Sequence, residues 1–377
     1  MHMRGNAMAS RGKWMSFLSL LMLFACSQVI DLDISQTGGQ VVIFGRITNG
    51  TAFNQVSVAL TGPEGGLPEP LSNAVVRIID EDGQETVLRE DPLELGVYKP
   101  PANQLQGVVG RAYRLEVQVL NRTYRTELQT MPEVLGEDTI DWELREEEDI
   151  TPDGASIVRN FVKIYASTTF RELPEEFYVR WGIEESYTIL GMVLPRSVFP
   201  RYTPFQCYII NDLSEQEAFL LDGTQIRTQQ LGRRLFAERI VDRSFAVKHY
   251  FNIIQSAINK ETHDYWSKVN SLTTRQGSIF DEPPAPVPGN ITSDNPDEQV
   301  LGFFEVTAVD TTRRFLTNND IRSFWDDPCE LNGPEWVPVF RLPPECIQCL
   351  FDEDIVDETC VFCQRLPNSS LNRPSYF

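Results

Sequence analysis

The cysteines near the end of the chain have a spacing that could bind zinc or form disulfides. Cys346-x-x-Cys349 is followed by Cys360-x-x-Cys363. In a cytosolic protein, two such pairs are typical of a zinc ribbon. In an exported protein the same residues are oxidised, and disulfides are then the favoured interpretation.

Two further cysteines, Cys207 and Cys329, complete an even set of six outside the N-terminal segment. Among the four tail cysteines three pairings are possible. We expect bridges between the two Cys-x-x-Cys pairs, because a bridge within a pair closes too short a loop to order the ten residues between Cys349 and Cys360. Cys207 and Cys329 would then bond to each other and hold the tail on the rest of the protein, if their Cα atoms lie within about 7 Å.

The seventh cysteine, Cys26, indicates which compartment applies. It ends the run Leu-Phe-Ala-Cys, which follows three N-terminal cations and an apolar stretch at 14–24 that is too short to span a bilayer. This pattern predicts a lipoprotein signal peptide at 1–25, acylation of Cys26 and a tether at 26–37. The alternative is an ordinary secretory signal peptide, cleaved or uncleaved, in which the cysteine is incidental.

Other catalytic chemistry has little support in the sequence. Beyond Cys26 the chain has two histidines, His249 on a predicted strand and His263 on a predicted helix, and neither has a nucleophile or carboxylate pattern beside it. Nucleophile-elbow, phosphate-loop and zinc-protease motifs are absent. We therefore predict no catalytic residues, no metal ligands and no cofactor, and we do not expect an enzyme.

The charge of the chain argues against nucleic acid as a partner. The sequence has 33 basic and 54 acidic residues, a net charge of -21. Such a surface repels phosphate backbones and anionic lipid headgroups, so membrane attachment would depend on the lipid anchor.

The chain reads as a mainly β protein, because it has many prolines and glycines and few long helical patterns. We predict two β-sandwich-like domains: an immunoglobulin-like sandwich at 38–132 and a second β domain at 133–319. The second domain contains one short amphipathic helix at 260–272, capped by Asn259. A disulfide-stapled, cysteine-rich tail at 320–377 follows, which is expected to lack a core of its own.

Several local predictions accompany this division. Hairpin turns are expected at 81–83 and at 121–122, and an exposed hairpin is expected near the acidic stretch at 146–149. The second domain should hold strands at 161–167, 177–184, 206–211, 235–254 and 300–309. The proline-rich segment 277–291 should lie over the second domain, with Ile279 and Phe280 as apolar contacts.

Several blocks of the chain resemble one known family, the Bacteroidota outer-membrane lipoproteins that share domain of unknown function DUF4249. The order of the blocks is more specific than any one of them, and they lie at 26–33, 107–113, 264–266, 276–291, 295–303, 360–363 and 373–377. Members usually end in Phe-Trp, whereas this chain ends in Tyr376-Phe377. No catalytic residues are established for the family, so the resemblance adds none.

The resemblance implies a lipid-anchored binding or accessory protein of the outer membrane, because such proteins are often encoded beside TonB-dependent receptors. We expect it to act beside such a receptor in uptake or envelope traffic, on the cell-surface face rather than the periplasmic face. Two alternatives stay open. One is an envelope enzyme such as a carbohydrate hydrolase, which a pair of carboxylates in a deep cleft would favour. The other is a structural assembly component, which a flat surface would favour.

Overall fold

A computed structural model describes residues 39–51, 53–62, 66–102, 104–150, 154–214, 219–273, 286–322, 327, 329–331 and 333–377. Cys26, the predicted signal peptide and tether, Ile279 and Phe280 lie outside these residues. The fold is mainly β with a few short helices, as predicted. In the part of the chain that is described, no helix combines the length and the apolar character needed to cross a membrane.

The first β unit places two groups of strands around one core. Its strands are β1 (Val41–Thr48), β2 (Gln55–Leu60), β3 (Glu69–Pro70), β4 (Val75–Asp80), β5 (Glu85–Glu90), β6 (Val97–Lys99), β7 (Ala112–Val119), β8 (Arg122–Arg125) and β9 (Gln129–Thr130). Alternate residues point inward, for example Ile43 and Val58 from one group and Ile78 and Leu115 from the other. The immunoglobulin-like arrangement of these strands stays a prediction.

Both predicted hairpin turns of this unit are present, and the second lies at Leu120 and Asn121, one residue earlier than predicted. Gly83 has φ +79° between β4 and β5, a conformation that glycine adopts without steric cost. The Asp80 carboxylate accepts hydrogen bonds from the backbone N–H groups of Asp82 and Gln84 at 3.0 and 2.9 Å and fixes the turn. Asn121 has φ +60° in the turn from β7 to β8. Asparagine tolerates this region better than most residues.

The second unit begins with a long hairpin and continues into five further strands and a helix. These elements are β10 (Gly136–Ile150), β11 (Ser156–Phe170), β12 (Tyr178–Leu190), β13 (Gln206–Asp212), β14 (Phe219–Asp222), β15 (Gln230–Ile240), β16 (Lys248–Ile258) and α1 (Lys260–Thr273). Strands β10, β11 and β15 form a small sheet. Its inner face packs on the main sheet through side chains such as Ile164, Phe170, Trp181 and Phe251.

One predicted strand of this unit, 235–254, is wrong as a single element. It is divided into β15 and β16 by a short 3₁₀ turn at Arg243–Phe245. Asp242 causes the break, because its carboxylate accepts a hydrogen bond from the backbone N–H of Ser244 at 2.8 Å.

The predicted helix is confirmed as α1. Its N-terminus is capped by Asn259, whose side-chain oxygen accepts a hydrogen bond from the backbone N–H of Thr262 at 2.8 Å. Tyr265 packs against the sheet, with its ring stacked on that of Phe303 at 4.4 Å between centroids.

The remaining elements are β17 (Thr292–Ser293), β18 (Leu301–Thr317), α2 (Asn318–Ile321), α3 (Trp336–Val339), α4 (Gln348–Asp352), α5 (Glu358–Val361) and β19 (Ser369–Ser370). Strand β18 joins the two units. Its first half runs parallel to β1, and its second half pairs antiparallel with β16. Within the described residues, sixteen strands therefore form one continuous sheet, in which β2, β1, β18, β16, β12 and β13 lie side by side.

The proline-rich segment leads to the first unit rather than the second. Its first part, 277–285, lies outside the described residues. Ile291 is buried in the first core, and β17 pairs with β8. The Asn290 side chain donates a hydrogen bond to the backbone carbonyl of Phe304 at 2.8 Å and accepts one from its backbone N–H at 2.9 Å. The prediction that this segment covers the second domain is therefore wrong for its described end.

The tail has a core of its own, contrary to the prediction. Val339, Leu350 and Val361 are fully buried, and they pack against Met192 and Phe199 from the loop between β12 and β13. No apolar period is visible in the tail sequence, because a distant loop supplies four of the ten buried residues of this cluster.

The tail contains three disulfides, as expected, but the predicted pairing is wrong. Cys207 bonds Cys363 and Cys329 bonds Cys360, with Cα atoms 5.9 and 5.2 Å apart. Cys346 bonds Cys349 within one Cys-x-x-Cys pair. The reason is the short strand β19, which pairs with β13 and carries Cys363 to Cys207.

Candidate functional site

A groove with a volume of about 500 Å³ lies on one face of the continuous sheet. Strands β1, β18, β16 and β12 form its floor, and α1 borders it. Its aromatic lining comes from Phe44, Phe53, Trp266 and Phe303. Phe44 and Phe53 are 43% and 37% exposed, so both rings are available to a bound molecule. The volume falls in the range of small-molecule sites.

Strand register determines which residues face the groove. Phe44 and Arg46 of β1 stand beside Phe303 and Glu305 of β18, because the two parallel strands are aligned residue for residue. Side chains alternate between the two faces of a sheet, so these residues point away from the core that holds Ile43 and Phe304.

A buried ion pair forms part of the groove floor. Arg180 of β12 reaches across β16 and donates two hydrogen bonds to the Glu305 carboxylate, both at 2.8 Å. The Trp266 indole N–H of α1 donates to the same carboxylate, and the Arg180 guanidinium lies 4.7 Å from the Trp266 ring. The Arg180 and Glu305 side chains are 15% and 8% exposed. This network holds α1, β12 and β18 in one arrangement.

A second arginine, Arg46, stands next to this pair. Its Nε donates to the backbone carbonyl of Phe53 at 3.0 Å, and its guanidinium lies 5.3 Å from the Phe53 ring. Burial lowers the pKa of Arg46, against the opposing effect of the Glu305 charge. Among the described residues no carboxylate lies within 4 Å of Arg46, so Arg46 contributes a cation that a ligand could meet.

Two acids occupy the opposite wall. Glu184 of β12 and Asp212 of β13 are directly paired across the strands, which places their Cβ atoms about 5 Å apart. Burial raises the pKa of Glu184 and Asp212 adds to the rise, while a hydrogen bond from Asn252 at 2.7 Å opposes it. Asp212 is exposed and accepts a hydrogen bond from the backbone N–H of Ser214 at 2.8 Å.

Gly182 leaves room between these walls. It lies two residues from both Arg180 and Glu184 and therefore on the same face of β12. Among the described residues, a Cβ atom at this position would meet the Ser214 side chain alone, at 3.0 Å. A larger side chain there would extend into the groove.

The C-terminal residues lie on the same sheet, beyond the acidic wall. The Tyr376 hydroxyl is 3.2 Å from Ser186 Oγ, and the Arg313 guanidinium stacks on the Tyr376 ring at 3.8 Å. The Phe377 ring contacts Tyr250 at 4.7 Å between centroids. Arg313 also donates to Asn252 at 2.6 Å, and Asn252 donates to Glu184. The chain terminus is thus linked to the groove by a chain of polar contacts.

The two histidines lie elsewhere, and His249 has partners that the sequence did not indicate. His249 Nε2 is 3.0 Å from Glu185 Oε2, and its Nδ1 is 3.0 Å from Ser244 Oγ. Arg239 forms an ion pair with Glu185 at 2.8 Å. His263 lies on α1 beside Asp264, at 3.4 Å.

A hydrogen-bonded set with the connectivity of a catalytic triad is formed by Ser244, His249 and Glu185. All three side chains are buried, so a substrate cannot reach them. His249 and Glu185 are 0% exposed and Ser244 is 4% exposed. Burial lowers the pKa of His249. Burial also acts to raise the pKa of Glu185, but the hydrogen bond with His249 and the charge of Arg239 outweigh it and lower that pKa. We interpret the set as a neutral imidazole that satisfies a buried carboxylate.

Of the residues singled out in the sequence, the six tail and sheet cysteines are joined in bridges, and Cys26 lies outside the described residues. None of the six bridged cysteines lines the groove. The sequence did contain one indication of the groove residues: Glu305 is a single acid inside the apolar run Leu301–Val309. A lone charge in a buried strand needs a partner.

The fold and the groove define a mainly β protein with a ligand-sized concavity on its principal sheet. Residues 28–313 match the family described as domain of unknown function (DUF4249), and the chain belongs to this family. Neither the curated proteins nor the solved structures contain a match to the chain.

Proposed function

We propose that the protein is a lipid-anchored binding protein of the outer membrane, that it acts beside a TonB-dependent receptor, and that the groove is its ligand site. The groove supports the ligand-binding part of this proposal, because it combines exposed aromatic rings with a cation at Arg46 and acids at Glu184 and Asp212. The lipid anchor is proposed from the Leu-Phe-Ala-Cys run, and the outer membrane and the receptor from the family resemblance. Apolar walls with a few fixed polar groups are typical of sites that bind small molecules. A structural assembly component is less well supported, because the sheet face is concave rather than flat.

The groove favours a ligand of mixed character. The Phe44 and Phe53 rings offer flat apolar surface to one end of a ligand. Glu184 and Asp212 lie across the floor from these rings, so the other end of the ligand should carry polar groups. The Arg180–Glu305 pair is already satisfied. It therefore shapes the site rather than supplying charge to the ligand.

The ligand site can be tested by screening panels of oligosaccharides, peptides and lipids for a rise in melting temperature. Gly182→Leu fills the groove, so any genuine hit should lose its effect in that variant, while Gly232→Leu, at an open position on β15, should retain it. A hit that raises the melting temperature of both variants equally binds outside the groove.

A second candidate function, a carbohydrate hydrolase, is favoured by Glu184 and Asp212. Glu184 has a raised pKa, which suits a general acid. Its cross-strand neighbour Asp212 is exposed and could act as the general base or the nucleophile. If the oligosaccharides of the same panel are cleaved by the parent protein and left intact by Glu184→Gln, the hydrolase replaces the binding protein as the conclusion. Binding without cleavage leaves the binding protein in place.

The anchor gives a separate prediction. Cys26→Ser should release the protein from membranes, because acyl chains contribute about 0.8 kcal/mol of membrane affinity for each buried methylene. The measurement is the share of protein in the membrane fraction, followed by mass spectrometry of the N-terminus. The neighbouring change Ser27→Ala serves as the control and should stay bound. If Cys26→Ser remains acylated and membrane-bound, the lipoprotein proposal fails.

A further inference from the structure

The three disulfides differ in what they hold together. The Cys207–Cys363 and Cys329–Cys360 bridges are separated by 156 and 31 residues in the sequence and connect different elements. The Cys346–Cys349 bridge is separated by 3 residues, and both of its ends belong to one turn. Since the longer bridges already fix the tail on either side of it, Cys346–Cys349 joins no two parts of the protein that would otherwise separate.

The Cys346–Cys349 bridge is also the more accessible one. Each longer bridge has at least one cysteine that is at most 1% exposed: Cys207 and Cys363 in one, and Cys360 in the other, whose partner Cys329 is partly exposed. Only in the Cys346–Cys349 bridge are both cysteines partly exposed. The two sulfurs are not equivalent, because Cys349 packs against the tail core and Cys346 does not belong to that cluster. A thiolate arriving from solvent would therefore meet Cys346 first.

An apolar cavity opens beside Cys346. It has a volume of about 570 Å³, and the residues on both sides of Cys346, Glu345 and Ile347, contribute to its wall. Phe199, Tyr202, Phe205 and Phe362 contribute aromatic side chains to its lining. Phe205 is 36% exposed, so the cavity can be reached from solvent.

The backbone at this point is unusual. Glu345 has φ +62°, a left-handed conformation that non-glycine residues rarely adopt. It is held there by the hydrogen bond from its N–H to the carbonyl of Val198 at 2.9 Å and by the ion pair of its side chain with Arg201 at 3.4 Å. Backbone conformations of this kind are concentrated at functional sites.

We propose that Cys346–Cys349 is a thiol–disulfide exchange site for cysteine-bearing segments of exported polypeptides, and that the adjoining cavity seats an apolar side chain next to the reacting cysteine. The proposal does not depend on the groove or on the function assigned to it. It rests on an accessible bridge with no stapling role, on a cavity lined by both chain neighbours of Cys346, and on the left-handed conformation of one of those neighbours, Glu345.

The reaction transfers two electrons from a dithiol of the polypeptide to the Cys346–Cys349 disulfide. A thiolate of the polypeptide attacks Cys346 Sγ and forms a mixed disulfide, and the electron pair of the broken bond leaves on Cys349 Sγ, which takes up a proton. A second thiolate of the polypeptide then attacks the polypeptide sulfur of the mixed disulfide and releases Cys346. The polypeptide is oxidised to a disulfide, and Cys346 and Cys349 become two thiols.

The test uses the full-length oxidised protein and two synthetic dithiol peptides. The peptides differ at the residue before the first cysteine, which is leucine in one and serine in the other. Free thiols are alkylated at intervals and located by mass spectrometry. We expect Cys346 and Cys349 to be alkylated while the other two bridges stay intact, and the leucine peptide to react roughly tenfold faster, as burial of one leucine side chain allows.

A cavity variant completes the design. Phe205→Ser should remove the preference for the leucine peptide, and Phe205→Leu should keep most of it. If the three bridges are reduced together, reduction follows unfolding and there is no exchange site. If the two peptides react with the parent protein at equal rates, the cavity does not select a partner, and the proposal is overturned on that ground even when Phe205→Ser fails to fold.

Discussion

Replacing Cys207 and Cys363 together by alanine is expected to lower the free energy of unfolding by roughly 5 kcal/mol, the largest loss of the three disulfide removals. The bridge closes a loop that spans 156 residues, and a longer loop loses more entropy when it is closed in the unfolded chain. It also holds β13 against the tail. The measurement is chemical denaturation of the parent and the variant under non-reducing conditions.

The matched control is Cys346→Ala with Cys349→Ala. This bridge spans only 3 residues, and the same relation gives it a contribution of about 2 kcal/mol. Alanine is used in both variants because Cys207 and Cys363 are fully buried, and a serine hydroxyl there would add its own desolvation cost. Equal losses in the two variants would contradict the loop-closure account of what stabilises the tail.

The same cysteines mark a limit of prediction from sequence. An oxidised tail could be predicted, because the number of cysteines and the predicted export are sufficient for it. The pairing could not, because it depends on which Cα atoms come within about 7 Å of each other. Here the pairing of β19 with β13 brings Cys363 to Cys207, and two-residue β19 carries no pattern that would reveal it.

Strand β18 shows a related limit. Its apolar half was predicted at 300–309, because Phe303, Phe304 and Val306 have the composition of a buried strand. The strand continues to Thr317 through a polar stretch that includes Arg313 and Arg314. Those residues form strand because β16 is paired with them along its whole length, and that tertiary contact overrides their weak local preference.

The groove could not be predicted, because its walls come from five separate stretches of chain. Arg46, Arg180, Trp266 and Glu305 have no common motif, and only the order of strands β1, β18, β16 and β12 brings them to one face. The helix α1 was predictable because its cap and its apolar period are local. What it packs against was not, because Phe303 lies on a strand whose register is set by β1.

Glu305→Leu is expected to destabilise the protein by about 3–5 kcal/mol, although leucine suits the buried strand β18 better than glutamate does. The variant leaves the Arg180 guanidinium without its two acceptors and the Trp266 indole N–H without its partner. A buried cation that has lost its carboxylate costs more than the new apolar contact returns. Chemical denaturation of the parent and the variant measures the loss.

The double variant Arg180→Met with Glu305→Leu distinguishes a coupled pair from two independent losses. It removes both charges together, so its loss of unfolding free energy should be well below the sum of the two single losses, with a coupling of about 2 kcal/mol or more.

Arg180→Lys is the conservative control. It keeps the charge but cannot make both hydrogen bonds to Glu305, so it should be less stable than the parent and more stable than Arg180→Met. If the two single losses add up to the double loss within about 0.5 kcal/mol, the ion pair between Arg180 and Glu305 does not contribute to stability.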